Sequence, residues 1–169
     1  GGVSSRLTTK YIPMELKRTL FLPYFVRSLL FEGMHRVVNA KAGSARPGNI
    51  HIYHNYPHMM DDYSKIRKCM IGKTGTAEIV ETVNLDKESG SALHKHVWFG
   101  GISFEDNIAK AMLSGEMPFA KPELVVVVYL RFGNYGKDAA PIVGQIVTKW
   151  RELKKKYGHT KEKEGGVQG

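Results

Sequence analysis

Residues 123–131 read ELVVVVYLR, with four valines in succession, and this run constrains the fold more than any other stretch of the chain. Branching at Cβ stiffens χ1 and favours extended backbone over helix. The apolar part spans only residues 124–130, far short of the roughly 20 residues a membrane-crossing helix needs. The run therefore predicts a strand in a globular core. Because both of its alternating faces are apolar, it predicts a strand that is central or covered on both sides.

Two further strands are expected. Residues 69–80 (CMIGKTGTAEIV) and 96–104 (HVWFGGISF) are short and bounded by turns, and a polar stretch with Asp86, Ser89, Gly90 and Ser91 lies between them. Helical spacing brackets these strands. In residues 22–38, Leu22, Val26, Leu29, Leu30, Met34 and Val37 recur every three or four positions, with Pro23 suited to the first turn and Asn39 to a left-handed stop. Gly33 costs that helix stability unless something packs closely on it. In the last element Ile142, Ile146, Trp150, Leu153 and Tyr157 mark a stripe, Pro141 suits its first turn, and residues 154–156 put lysines at its C-terminal dipole before Gly158. Residues 105–114 predict a short helix led by Ile108 and Met112. Residues 40–64, rich in Gly, Pro, Asn and Asp, predict a long irregular loop. Trp98 and Trp150 fall on apolar stripes and are expected as core anchors.

A length of 169 residues fits one domain. The single cysteine, Cys69, excludes an internal disulfide framework and a thiolate-rich metal site. The net charge of +9 favours an anionic partner, but it is distributed as +7 over residues 1–70, −1 over 71–150 and +3 over 151–169. That leaves a neutral centre between two basic ends. The chain also lacks a helix-turn-helix, a zinc finger or basic strands interleaved with aromatics, so a nucleic-acid module has only the charge in its favour. His51, His54 and His58 share the 40–64 loop without an acidic or cysteine ligand at a matching interval, which argues against a metal. His94 and His96 alternate onto one strand face and read as polar rim residues, and Glu78 and Glu81 as solvated acids. The opening Gly1-Gly2, with no initiating methionine and no signal-peptide pattern, suggests a segment of a longer chain.

One short motif carries chemistry: Gly72-Lys73-Thr74-Gly75-Thr76-Ala77. Lys73 offers a positive charge to a carboxylate, and the hydroxyls of Thr74 and Thr76 offer hydrogen bonds to it. Gly75 leaves room for another backbone to approach the strand, whose free N–H groups can pair with a peptide as an added strand. The N–H of Thr76 can face a developing oxyanion. A phosphate-binding loop is excluded, since it needs a glycine at position 67, where Arg67 stands.

With these blocks in order, residues 20–157 resemble the C-terminal half of the transpeptidase domain of class B penicillin-binding proteins. GKTGTAE at 72–78 looks like that family's third active-site motif, HVWFGG at 96–101 like its next strand, and residues 123–147 like its final strand, glycine-containing turn and Ala-Ala-Pro helix start. EGMHRVVN at 32–39 is similar to the helix end preceding the motif strand. The resemblance implies a mixed α/β (α+β) fold of the β-lactamase and penicillin-binding transpeptidase type, an antiparallel sheet flanked by helices. Only its C-terminal portion would be present, in residues 1–158, followed by a disordered polar tail at 159–169. It implies acyl transfer through a serine, with Lys73 and Thr76 in the catalytic apparatus. Lys73, Thr74, Gly75 and Thr76 would bind the D-Ala-D-Ala end of a peptidoglycan stem peptide or a β-lactam, with no metal or organic cofactor. The parent would be anchored in the bacterial cytoplasmic membrane, with this domain facing the periplasm or cell exterior.

The chain departs from the family where the nucleophile should stand. Ser28, Ser44 and Ser64 lack a lysine three residues on, and no Ser-x-Asn occurs. Tyr53-His54-Asn55 matches a Tyr-x-Asn variant but lies too close to Lys73. Gly100-Gly101 replaces a bulkier ending. The segment alone is therefore expected not to acylate, and its motif strand or a neighbouring strand to have an unpaired edge that the remainder of the domain would cover. A non-catalytic β-lactam-sensing or wall-machinery scaffold domain is the alternative.

Overall fold

The computed structural model describes residues 18–53, 55–85, 88–114 and 121–158, without the side chains of residues 81–93 and Leu113. His54, the Glu81 side chain and the expected tail at 159–169 lie outside the described residues.

Helices α1 (Tyr24–Asn39) and α2 (Pro57–Ile66) precede strands β1 (Met70–Leu85) and β2 (Glu88–Ser103). Helix α3 (Ala109–Ser114), strand β3 (Leu124–Leu130) and helix α4 (Ala140–Gly158) follow, with 3₁₀ turns at Pro47–Asn49, Arg67–Cys69 and Gly136–Ala139. The strands make an antiparallel sheet in the order β1-β2-β3, so the chain is a mixed α+β fold. The register from Met70↔Ser103 to Leu85↔Glu88 is constant, with no bulge. Both strands therefore run past the residues expected for them, into the stretch that composition had marked as a turn.

One sheet face is covered by α4, against which α2 packs. Phe99 and Met70 from the sheet, Val143 and Val147 from α4, Tyr63 from α2 and Val38 from α1 form the main buried cluster. Each such side chain contributes about 1.5–3 kcal/mol by leaving water. The glycine at position 101 seats α4 on the sheet, since a Cβ there would lie 3.0 Å from Val143 Cγ1. On the opposite face a smaller cluster of Ile71, Phe104 and Ile108 is packed by Phe31 and Met34 of α1 and Met112 of α3.

Several expectations are corrected. Residues 40–64 are not one irregular loop, because α2 begins within them and runs on to Ile66. Pro57 stands in its first turn, and Tyr63 and Ile66, three apart, are its buried face. Asn39 does not take a left-handed conformation, since Phe132 is the only described non-glycine residue with positive φ. The helix ends where Ala40 turns extended (φ −68°, ψ 152°), and the Asn39 side chain ties that end to Arg67: Nδ2 donates to the Arg67 carbonyl at 3.1 Å and Oδ1 accepts from Arg67 Nη1 at 3.0 Å. Nothing packs on Gly33 among the described residues.

Among the described residues strand β3 is an edge strand, not a central one. Leu124, Val126, Val128 and Leu130 pack on the core, while Val125, Val127 and Tyr129 on the other face are 61%, 68% and 54% exposed. Helix α4 likewise turns a different stripe inward. Ala140, Val143, Gly144 and Val147 are buried, and Ile146, Trp150, Leu153 and Tyr157 are exposed. Trp98 and Trp150 are 37% and 39% exposed and are not core anchors.

Candidate functional site

The Lys-Thr-Gly segment lies on β1, opposite residues 97–100 of β2: Lys73 pairs with Gly100, Thr74 with Phe99, Gly75 with Trp98 and Thr76 with Val97. The hydrogen-bond phase follows from the ladder. Phe104 N–H donates to the Cys69 carbonyl, and antiparallel pairs alternate between bonded and non-bonded. With the register unbroken, Lys73, Gly75 and Ala77 turn their backbone groups toward β2. Gly72, Thr74 and Thr76 therefore turn theirs outward, to an edge with no partner strand among the described residues.

Side-chain alternation divides the motif a second way. Thr74 and Thr76 share one face and line an open groove of about 390 Å³ with Ser44, Asn49, Tyr135, Gly136 and Lys137. Ser44 Oγ lies 3.3 Å from Thr74 Oγ1. Lys73 belongs to the opposite face and does not line the groove. Its Nζ donates to the Thr74 carbonyl at 2.8 Å, over the open edge. The structure thus unites the two threonines and separates Lys73 from them.

The room left by Gly75 is filled from within the protein. A Cβ built there would meet the Trp98 indole at 2.2 Å. Gly136 reaches the backbone of the same residue: its own Cβ would lie 2.5 Å from the Gly75 carbonyl oxygen and 2.8 Å from Trp98 O. Both glycines are required by close approach, and together they bring the 135–138 turn against the motif strand.

That turn and the 43–49 loop hold each other. Lys137 Nζ donates to the Asn49 carbonyl at 2.6 Å and lies 5.1 Å from the centre of the Tyr135 ring. Asn49 Nδ2 donates to the Gly43 carbonyl at 2.8 Å. Asp138 is buried, and its carboxylate accepts the Tyr135 N–H at 3.1 Å. Burial raises its pKa above the ordinary value, against the opposing pull of that N–H and of Lys137. Tyr53 Oη donates to the Asp138 carbonyl at 2.6 Å, and burial, aided by the Asp138 charge, raises the phenol pKa.

Sequence reading missed Ser44, Asn49, Tyr135 and Lys137, which reach the motif only through tertiary contact. The signal available was Gly136 inside GNYGKD, where a glycine marks close backbone approach. Glu78 is exposed and pairs with Lys95 at 3.3 Å. His96 Nδ1 hydrogen-bonds Tyr129 Oη, and His94 stacks edge-on with Phe132 at 4.8 Å. Among the described residues no group of three His, Cys, Asp or Glu side chains is placed to hold a metal ion. Nor is any helix among them long and apolar enough to cross a membrane. Comparison of the chain with protein-family models, with curated proteins and with solved structures finds no match in any of the three.

Proposed function

We propose that this chain is the substrate-binding, C-terminal part of a peptidoglycan D,D-transpeptidase of the penicillin-binding class. The observation that carries the reading is the phase of β1. The outward N–H groups of Thr74 and Thr76 lie on an open strand edge, and the hydroxyls of the same residues line the adjoining groove. An extended peptide can pair with that edge while its terminal carboxylate takes hydrogen bonds from the hydroxyls. The Thr76 N–H then serves as one donor to the oxyanion of acyl transfer.

The attacking serine, its lysine and the second oxyanion donor are not among these 169 residues, and in this reading another segment of a membrane-anchored parent supplies them outside the cytoplasmic membrane. The exposed apolar residues Val125, Val127 and Trp98 on the sheet and Ile146 and Leu153 on α4 support a covering partner of that kind. Lys73 extends toward the same open side, where the resemblance places its contact with the second motif's serine. Serine acyl transfer calls for no metal or organic cofactor.

Labelling with a fluorescent penicillin tests the reading. The expected result is no covalent label on this chain, and a label on the parent carrying the Ser-x-x-Lys segment that Thr76→Val weakens. An unlabelled parent, or a stable adduct on this chain alone, overturns it.

A further inference from the structure

A carboxylate received by two threonine hydroxyls calls for a cation beside them, and strand alternation has removed Lys73 from that place. Its side chain belongs to the other face and does not line the groove, and one of its ammonium donors goes to the Thr74 carbonyl over the open edge. The groove has a different cation. Lys137 lines it together with Thr74 and Thr76, brought there by the close approach of Gly136 to Gly75. The Asn49 carbonyl takes one of its N–H donors at 2.6 Å and the Tyr135 ring flanks it, which fixes the ammonium while two donors remain. The neighbouring Asp138 carboxylate is turned into the protein, onto the Tyr135 N–H, and does not line the groove. Every other groove residue is neutral: Ser44, Asn49, Thr74, Thr76, Tyr135 and Gly136.

We propose that Lys137 is the cation that receives the C-terminal carboxylate of an extended peptide at this groove. The assignment rests on the transpeptidase reading above and gives to Lys137 the charge role that the motif alone would give to Lys73. It makes the 135–138 turn a determinant of selectivity for a free carboxylate over a capped one.

Titration of the chain with N-acetylated Lys-D-Ala-D-Ala and with its C-terminal amide, followed through the backbone resonances of β1, tests the assignment. The acid is expected to bind more tightly than the amide. Lys137→Met should weaken the acid by roughly tenfold or more, the range of a lost charge-assisted hydrogen bond, and erase the difference between the two peptides. Lys137→Arg should retain the difference, and so should Lys73→Met. Core resonances unchanged in Lys137→Met show that the loss is local. If Lys73→Met erases the difference while Lys137→Met keeps it, the assignment to Lys137 fails and the reading stands. If neither peptide moves the β1 resonances of the unsubstituted chain, both fail together.

Discussion

The indole of Trp98 lies over Gly75, its partner across the β1–β2 ladder, so closely that a Cβ on Gly75 would stand 2.2 Å from the ring. The glycine of the motif is thus occupied on one side by tryptophan and on the other by the backbone of Gly136. The two contacts differ in how they can yield. The indole is 37% exposed and can swing into water, whereas the Gly136 contact is backbone against backbone.

Gly75→Ala is expected to displace the Trp98 ring at a cost of about 1 kcal/mol, and Gly136→Ala to cost about 3 kcal/mol, the two ends of the usual overpacking range. Urea unfolding measures both, and a red shift of the Trp98 emission marks the first. Equal costs would mean that the two contacts yield alike.

The phase of β1 predicts an alternating pattern of amide exchange. The N–H groups of Lys73, Gly75 and Ala77 should exchange slowly and those of Thr74 and Thr76 fast, because only the first set faces β2. Protection of Thr74 and Thr76 instead would place the ladder in the opposite phase and remove the open edge from the site.

Arg151 anchors α4 to the start of β3. It pairs with Glu123 at 3.0 Å and donates to the Phe104 carbonyl at 2.5 Å, and the Glu123 side chain is 3% exposed. Arg151→Ala strands that carboxylate and should cost about 3 kcal/mol, while Arg151→Ala combined with Glu123→Gln should recover part of it. A double-mutant cycle with no coupling would sink this account. The exposed Lys154–Glu105 pair beside it should contribute little.

Tyr63 is fully buried between α2 and α4, with its hydroxyl donating to the Ala45 carbonyl at 2.6 Å. Tyr63→Phe leaves that carbonyl without its donor and is expected to cost about 1–2 kcal/mol in thermal or denaturant unfolding.

His35 gives the fold a dependence on pH. Burial is the main cause that lowers its pKa from 6.5, the Arg67 charge adds to it, and Glu32 opposes it. The folded state therefore takes up the proton later than the unfolded chain. Its contribution is fully present above pH 6.5 and is lost as pH falls from 6.5 through the lowered folded value. His35→Gln should flatten this slope as pH falls below 6.5; an unchanged slope would assign it to other groups.

Local patterning located most of the elements. Alternation and β-branching marked β3, and three- and four-residue spacing marked α1 and α4. Helix α2 was hidden because its buried residues Tyr63 and Ile66 sit among Pro57, Asp61, Asp62 and Ser64, a composition shared with loops. The stripe of α4 led to the wrong face, since residues 143, 144 and 147 make as good a stripe as 142, 146 and 150, and only the seat against Gly101 and Tyr63 distinguishes them.

By itself, then, the sequence determined that one extended segment carries Lys73, Thr74, Gly75 and Thr76; the period of two, which sets both threonines on one face and Lys73 on the other, was available there but was not used when all were gathered at one carboxylate. Tertiary structure alone decided what those faces meet. Whether an apolar residue such as Val127 or Trp150 is covered depends on which element docks there, and which cation stands beside the threonines depends on a turn that follows more than fifty residues later. Local periodicity encodes the orientation of a side chain about its own backbone, whereas its neighbours are set by packing between distant segments.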